Sequence, residues 1–201
     1  MQELKCIFFD FMGVVFKEPH IITNLLYPML PEPKDYNFTK KKYVEFVEKG
    51  AITRKDFWNA LGIKNWKTFE NKYLESFEID PDFFKVADYL KRKYQLAVLS
   101  DLAVTWGNFL IKKYKLDKIF CKFFFSEKYK MCKKQKEFFL LAMRNLKLNG
   151  KECCMIDDRL SVLKLASQLK MKTIWFKREK KGIEFNPGYT ITKFEELKRI
   201  L

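Results

Sequence analysis

Three carboxylates, one hydroxyl and one ammonium group stand at or near the ends of short apolar runs. Asp10 closes the first run, Ser100 closes the second, and Asp157 and Asp158 close the fourth. Lys133 follows shortly after the third, a run of phenylalanines. Short apolar runs predict buried parallel strands, whose carboxyl ends bind ligands. The sequence therefore predicts that these five side chains meet at one edge of one sheet.

The Asp157-Asp158 pair predicts a cation site. Adjacent carboxylates repel each other unless a cation or a proton lies between them. Mg²⁺ suits such a site, since it prefers a few carboxylates together with water and a substrate phosphate. The structural alternative is that Asp158 only caps a helix that begins near Leu160.

Asp10 is a candidate nucleophile, because a carboxylate at a strand end can form a covalent intermediate when its charge is managed. Gly13 follows shortly after and lets the chain turn sharply, which exposes backbone groups to a ligand. The alternative for Asp10 is a strand-end residue that caps the next turn.

Ser100 and Lys133 are candidates for binding an anion. The Ser100 hydroxyl, with nearby backbone N–H groups, can hold a phosphate oxygen, although serine at a strand end is often only a turn residue. An ammonium at Lys133 can offset the charge of the carboxylates and of a transferring group. Lys130, Lys134 and Lys136 lie close by, so composition alone does not single out Lys133.

Strands and helical patterns alternate from Pro81 onwards, which predicts an α/β fold with a parallel sheet and right-handed crossovers. Residues 177–188, rich in Lys and Gly, are predicted as a solvated connection. The predicted strands cover 4–9, 95–100, 122–125, 153–156, 172–176 and 189–192, and the predicted helices start at Pro81 and cover 104–115, 136–147, 160–170 and 194–201.

Residues 17–77 differ from the rest, because they carry several prolines and helical patterns but no convincing strand. Thr53 precedes one of these helices as an N-cap. The segment is predicted as a helical insertion into a core made of residues 1–16 and 78–201. Its aromatic side chains have helical spacing, which favours an internal core over a substrate platform; they are Phe57, Trp58, Trp66 and Phe69.

Composition predicts a globular protein with a strongly basic surface. The 201 residues carry a formal net charge of +15 and are 48% hydrophobic. A nucleic-acid surface, a site for phosphorylated substrates and a general excess of lysine are all compatible with this charge. The five cysteines form no C-x-x-C pair and are expected as small buried side chains in a reducing compartment. No signal pattern or membrane span is found, so a cytoplasmic location is expected.

Four segments together resemble the motifs of the haloacid dehalogenase (HAD)-like hydrolase superfamily. Residues 8–15 look like its first motif, and residues 96–100 look like its second. Residues 133–139 align with its Lys-Pro-x-Pro-Glu-x-aromatic segment, which singles out Lys133, and residues 155–166 look like its fourth motif. The resemblance implies a Rossmann-like α/β core, and the helical insertion fits the cap of a phosphatase-like subgroup.

The resemblance also implies roles. Asp10 would attack a phosphoryl group and form an aspartyl-phosphate. Mg²⁺ would be held by Asp10, by the backbone carbonyl of Met12 and by Asp158, with Asp157 assisting. Ser100 would bind a phosphate oxygen, and Lys133 would neutralise charge in catalysis and in substrate binding. The implied function is a Mg²⁺-dependent phosphohydrolase of a small phosphorylated metabolite.

Departures from the family pattern leave alternatives open. Met12 stands where the phosphatases usually carry an acid/base Asp, which is typically worth about 10²–10⁴-fold in rate. Asp101 stands at a substrate-binding position where the family often has Asn, and Lys134 and Lys136 replace prolines. One alternative is a catalytically impaired protein whose ligand is a phosphorylated molecule, another protein or a nucleic acid. A second alternative is dehalogenase-like chemistry, which is less favoured because the paired carboxylates indicate a metal site.

Overall fold

The structure is a computed structural model that describes residues 3–32, 35–178 and 185–201. Within these residues, six parallel strands form one sheet in the order β3-β2-β1-β4-β5-β6. The predicted α/β fold with a parallel sheet is therefore confirmed. The strands are β1 (Cys6–Phe9), β2 (Gln95–Ser100), β3 (Lys122–Phe125), β4 (Cys153–Asp157), β5 (Lys172–Phe176) and β6 (Tyr189–Ile191).

The central position of β1 explains why the chemistry-bearing residues converge. Phe9 of β1 lies opposite Val98 of β2 and Ile156 of β4. The backbone N–H of Asp10 still donates to the Ile156 carbonyl, at 3.0 Å. This register brings the ends of β1, β2 and β4 to the same level of the sheet edge.

Two apolar clusters cover the sheet. Side chains alternate along β1, so that Cys6 and Phe8 join one cluster while Ile7 and Phe9 join the other. Helices of the core flank the sheet and supply much of both clusters. They are α5 (Phe83–Leu90), α6 (Val104–Tyr114), α7 (Ser126–Tyr129), α8 (Lys136–Asn145), α9 (Leu160–Gln168) and α10 (Leu197–Ile200).

Several helices end earlier than their sequence patterns predict. Lys115, Lys147 and Lys170 have φ angles of 54°, 56° and 64°, in the left-handed region that commonly ends a helix. Glycine is the usual residue there, so lysine gave no stop signal in the sequence. The predicted helices therefore ran one or two residues too far. Helix α7 was not predicted, because its four residues are too few to show a period.

Residues 17–77, here called the helical segment, contain helices and no strand among the residues described. The predicted N-cap is confirmed, since the Thr53 side chain accepts from the Asp56 N–H in a capping box. The α-helices are α1 (Tyr27–Met29), α2 (Tyr36–Tyr43), α3 (Arg54–Ala60) and α4 (Trp66–Glu75). A π-helix at Ile21–Leu26 precedes α1, and a second π-helix at Val44–Glu48 continues α2.

The helical segment shares an apolar cluster with the core. Phe57 and Trp58 are fully buried in that cluster beside Trp106 of α6, and Trp66 and Phe69 are partly buried against it. The predicted role of these aromatic side chains as internal core is confirmed.

The expectation that all cysteines are buried is wrong for Cys121. Cys6, Cys153 and Cys154 are buried in the central strands, whereas Cys121 lies exposed just before the edge strand β3 and Cys132 is partly buried.

Of the predicted connection at 177–188, residues 179–184 lie outside the described part. None of the helices in the described part is both long and apolar enough to cross a membrane.

Candidate active site

Lys133 bridges two of the predicted carboxylates at the sheet edge. Its Nζ lies 2.6 Å from Oδ2 of Asp10 and 2.6 Å from Oδ2 of Asp157. All three side chains are almost completely buried. Burial lowers the pKa of the Lys133 ammonium, but the charges of Asp10 and Asp157 outweigh burial and hold that pKa above its ordinary value. Lys133 is therefore a fixed positive charge at the centre of the site.

Asp10 is oriented from both sides of its carboxylate. Its Oδ1 accepts hydrogen bonds from the Phe11 N–H and from the Ser100 hydroxyl, both at 2.8 Å, while Oδ2 faces Lys133. Burial raises the pKa of Asp10 above its ordinary value, and the Lys133 charge opposes that rise. Three donors thus keep an almost fully buried carboxylate in a single orientation.

Asp101 holds the loop that carries Lys133. Its Oδ1 accepts from the Lys133 backbone N–H at 2.8 Å, and its Oδ2 faces the Arg159 guanidinium at 2.9 Å. Burial raises the pKa of the Asp101 carboxyl, but the charges of Arg159 and Lys133 outweigh burial and hold that pKa below its ordinary value. Both carboxylate oxygens of Asp101 therefore contact other groups of the site, while Asp101 also lines the cavity, and its substrate-binding role stays a prediction.

Asp10, Asp157 and Asp158 form a carboxylate cluster in which one oxygen of each lies within 4.8 Å of the others. Burial and the neighbouring charges of Asp157 and Asp10 raise the pKa of Asp158 to about 8. Among the residues described, no N–H or O–H group donates to the Asp158 carboxylate. A cluster of carboxylates that repel one another in a buried pocket fits a hard divalent cation such as Mg²⁺.

Gly13 is required by the geometry beside this cluster. Its φ of +79° lies in the left-handed region, and a Cβ atom there would lie 2.8 Å from Cγ and Oδ2 of Asp158. Only glycine both adopts this turn and leaves room for the carboxylate. Met12, one residue earlier, is nearly buried and lines the floor of the site, where its thioether offers no ionisable group.

A cavity of about 280 Å³ lies above the carboxylate cluster, between the sheet edge and the helical segment. Its floor is lined by Asp10, Met12, Ser100, Asp101, Asp158 and Arg159. Its roof comes from the helical segment and includes His20, Ile21, Thr23, Tyr36, Lys40 and Tyr43. The four aromatic residues discussed above do not line it. Most of the predicted site residues thus line the floor of a cavity that the helical segment covers, while Lys133 and Asp157 lie buried beside Asp10 and outside the lining.

A family model of haloacid dehalogenase-like hydrolases matches residues 4–168, which is most of the chain. The chain belongs to this family. A search of curated protein sequences found no match.

Many solved structures share the fold of this hydrolase at low sequence identity. The HAD-hydrolase YfnB from Bacillus subtilis, solved with magnesium bound, is 18% identical with a TM-score of 0.75, over 99% of both chains. A HAD phosphatase from Thermococcus onnurineus is 17% identical with a TM-score of 0.75, over 98% of this chain and 97% of its own. The 2-haloacid dehalogenase from Pseudomonas syringae pv. Tomato DC3000 is 17% identical with a TM-score of 0.73, over the same shares.

Arg178 is a residue of this hydrolase's site that sequence reasoning missed. Its Nε donates to the Gly13 carbonyl at 2.9 Å, and one of its terminal nitrogens donates to the Val14 carbonyl at 3.1 Å and to Asp80 Oδ2 at 2.8 Å. Arg178 thus ties the loop after Asp10 to the segment in which the chain returns from the helical segment. The position of Arg178 just after β5, at the same sheet edge as the other site residues, could have indicated this role. Arg178 was overlooked because residues 177–188 were predicted as a solvated connection.

Proposed function

We propose that this hydrolase is a Mg²⁺-dependent phosphohydrolase that acts on a small phosphate monoester with Asp10 as the nucleophile. The observation that carries the proposal is the arrangement around Asp10. Its carboxylate is oriented by three donors, lies beside two further carboxylates that fit Mg²⁺, and faces a cavity of metabolite size.

The reaction has two steps. An Asp10 carboxylate oxygen forms a bond to phosphorus while the bond from phosphorus to the leaving oxygen breaks, which gives an aspartyl-phosphate and an alkoxide or phenolate that takes its proton from solvent water. Water then attacks this intermediate, releases inorganic phosphate and restores the carboxylate. The Lys133 ammonium neutralises part of the charge in both steps.

Asp10, Asp158 and the Met12 backbone carbonyl would hold Mg²⁺, and Asp157 would assist. When bound, the ion neutralises phosphate oxygens and makes the phosphorus a better target for the carboxylate. We also propose that the helical segment is the cap of the family, because it covers the cavity and limits the size of the substrate that fits.

Met12 sets the reactivity of this site. A thioether can neither protonate a leaving alcohol nor activate water, so esters with poor leaving groups are expected to react slowly. Aryl phosphates, whose phenolate leaves without a proton, are expected to be the better substrates.

Dehalogenase-like chemistry is less well supported. The 2-haloacid dehalogenase has a similar fold, but a fold alone does not fix the reaction. The three carboxylates in one cluster fit a divalent cation that a substrate phosphate shares, which favours a phosphate ester over a haloacid. The magnesium in YfnB and the phosphatase from Thermococcus onnurineus favour the phosphohydrolase.

A second candidate is a protein that binds a phosphorylated ligand without turnover, and Met12 is the observation that favours it. Such a protein would keep Lys133 and the carboxylate cluster for binding Mg²⁺ and phosphate. It would have no need of an acid/base side chain.

One experiment separates the two candidates. Hydrolysis of 4-nitrophenyl phosphate is measured with and without Mg²⁺ for the wild type, Asp10→Asn and Met12→Asp. The proposal expects Mg²⁺-dependent activity in the wild type that is lost in Asp10→Asn. Inactivity of the wild type together with a gain in Met12→Asp would support the binding protein, and inactivity of all three forms would overturn the phosphohydrolase.

A further inference from the structure

We propose, on the basis of the function proposed above, that the natural substrate carries a second anionic group and that Lys40 binds it. The group is a carboxylate or a second phosphate, on the part of the substrate that lies away from the reacting phosphorus. Lys40 is thereby a specificity-determining residue in the roof of the cavity.

The charges that line the cavity single out Lys40. Asp10 is paired with Lys133 beneath the floor, Asp101 is paired with Arg159, and Glu48 is paired with Lys134 at 3.0 Å. In the described part of the chain, no carboxylate pairs with Lys40. Among the described residues that line the cavity, Lys40 is the one lysine, and its charge is not balanced by a neighbouring carboxylate.

The position of Lys40 places this charge opposite the reacting end of the substrate. Lys40 belongs to α2 in the roof, whereas Asp10, Ser100 and Asp158 form the floor. A phosphate bound at the floor leaves the remainder of the molecule pointing towards the roof. Tyr36 and Tyr43 also line the cavity, and their aromatic rings suit contact with a short carbon skeleton.

A second feature extends the positive region beyond the cavity. A groove on the outer side of α2 is lined by Lys40, Lys41 and Lys49 and shares Lys40 and Val44 with the cavity. The groove contains one acidic residue, Glu45, and its carboxylate already faces Lys42 at 2.7 Å. Net positive charge thus continues outward from the roof, which favours a substrate whose outer end is anionic.

Matched substrates test the proposal. The rates are measured for phenyl phosphate, 4-carboxyphenyl phosphate and hydroquinone bisphosphate, which share an aryl leaving group and differ in the second anion. We expect wild-type kcat/KM to be about fivefold higher for the two compounds with a second anion, a size typical of a partly exposed charge pair. The preference should shrink as ionic strength rises.

Variants then assign the preference to one side chain. Lys40→Ala should bring the ratio of kcat/KM values close to one, and Lys40→Glu should bring it below one. Lys55→Ala, on α3 and outside the cavity lining, removes the same charge elsewhere and should keep the wild-type ratio. Equal rates in the wild type, or a ratio that Lys40→Ala leaves unchanged, would overturn the proposal.

Failure of the phosphohydrolase would be seen separately, as no turnover of any of the three compounds. The proposal for Lys40 is then tested by calorimetric binding of phenyl phosphate and 4-carboxyphenyl phosphate in the presence of Mg²⁺. Tighter binding of the carboxylated compound that Lys40→Ala abolishes would support it, and equal binding by the wild type would refute it.

Discussion

Lys133 has a structural role as well as a chemical one. It is a buried ammonium between two buried carboxylates, so the three charges stabilise one another only as a set. Removing one member of such a set leaves uncompensated charge away from water, which is more costly than losing an exposed pair.

Lys133→Met is therefore expected to lower the free energy of unfolding by about 3–5 kcal/mol, as for other broken buried ion pairs. Urea denaturation at neutral pH measures the change. Lys134→Met is the matched control, because its side chain is 64% exposed and its pair with Glu48 lies at the surface. Equal losses in the two variants would contradict this account of Lys133.

Strand ends explain why much of the site could be predicted. Asp10, Ser100 and Asp157 follow directly from the rule that parallel strands bring their carboxyl ends to one edge, and β1, β2 and β4 are neighbours. Lys133 needed more than this rule, since several lysines share its loop and only the family motif singled it out. The sequence carries no periodic signal for such a residue, whose place depends on how a loop folds back.

The contacts of Asp101 and Arg178 could not be predicted for a related reason. Arg178 meets Gly13, which is far away along the chain, and Asp101 meets Arg159 across the sheet edge. Long-range hydrogen bonds of this kind depend on the finished fold and leave no local pattern. The same applies to the left-handed lysines, because glycine is the residue that usually marks such a helix end.

Arg178, just after β5, holds the loop after Asp10 by hydrogen bonds, and this role can be measured. Arg178→Ala removes the donors to the Gly13 and Val14 carbonyls, so the loop that carries Met12 is held less firmly. Since a displacement of about 1 Å can cost up to about 10²-fold in rate, we expect kcat to fall at least about tenfold.

The assay is 4-nitrophenyl phosphate hydrolysis, measured well below the unfolding temperature of each variant. Arg199→Ala on α10 serves as the control, since Arg199 is exposed and distant from the loop in sequence. A wild-type kcat in Arg178→Ala would show that the link is dispensable for the reaction.

The central strands also protect three thiols. Burial raises the pKa of Cys6, and it raises the pKa of Cys153 and of Cys154 to about 12 in each case. The reactive form of a cysteine is the thiolate, which these residues do not reach at pH 8.

Labelling of the native protein at pH 8 with iodoacetamide is therefore expected to modify Cys121 and Cys132 only. Mass spectrometry of tryptic peptides identifies the sites, and labelling in urea should modify all five cysteines. Modification of Cys153 or Cys154 in the native protein would show that β4 is accessible to the reagent and would contradict this expectation.

One buried carboxylate joins the helical segment to the core. Glu70 of α4 accepts from the indole N–H of Trp58 at 2.8 Å and from that of Trp106 at 2.7 Å. Trp58 belongs to the helical segment and Trp106 to α6 of the core. Because of this contact and the shared apolar cluster, we expect the two parts to unfold as one unit.

Glu70→Leu is expected to reduce the free energy of unfolding by about 1–3 kcal/mol for each indole N–H that loses its acceptor. Glu70→Gln keeps an acceptor oxygen in the same place and should lose clearly less. Urea titrations followed by tryptophan fluorescence and by far-UV circular dichroism should coincide for the wild type. Two separate transitions would show that the helical segment and the core unfold independently, which would contradict the expectation.

The two connections between the helical segment and the core lie side by side. The Lys17 N–H donates to the Glu78 carbonyl and the Asp80 N–H donates to the Val15 carbonyl, each at 3.0 Å, and Phe16 pairs with Ile79. The whole segment is therefore a loop whose ends are already closed by a short ladder. Doubling the length of such a loop adds only about 0.6 kcal/mol of closure entropy. Evolution can accordingly lengthen, shorten or exchange the roof over this cavity at little cost to the sheet that holds Asp10.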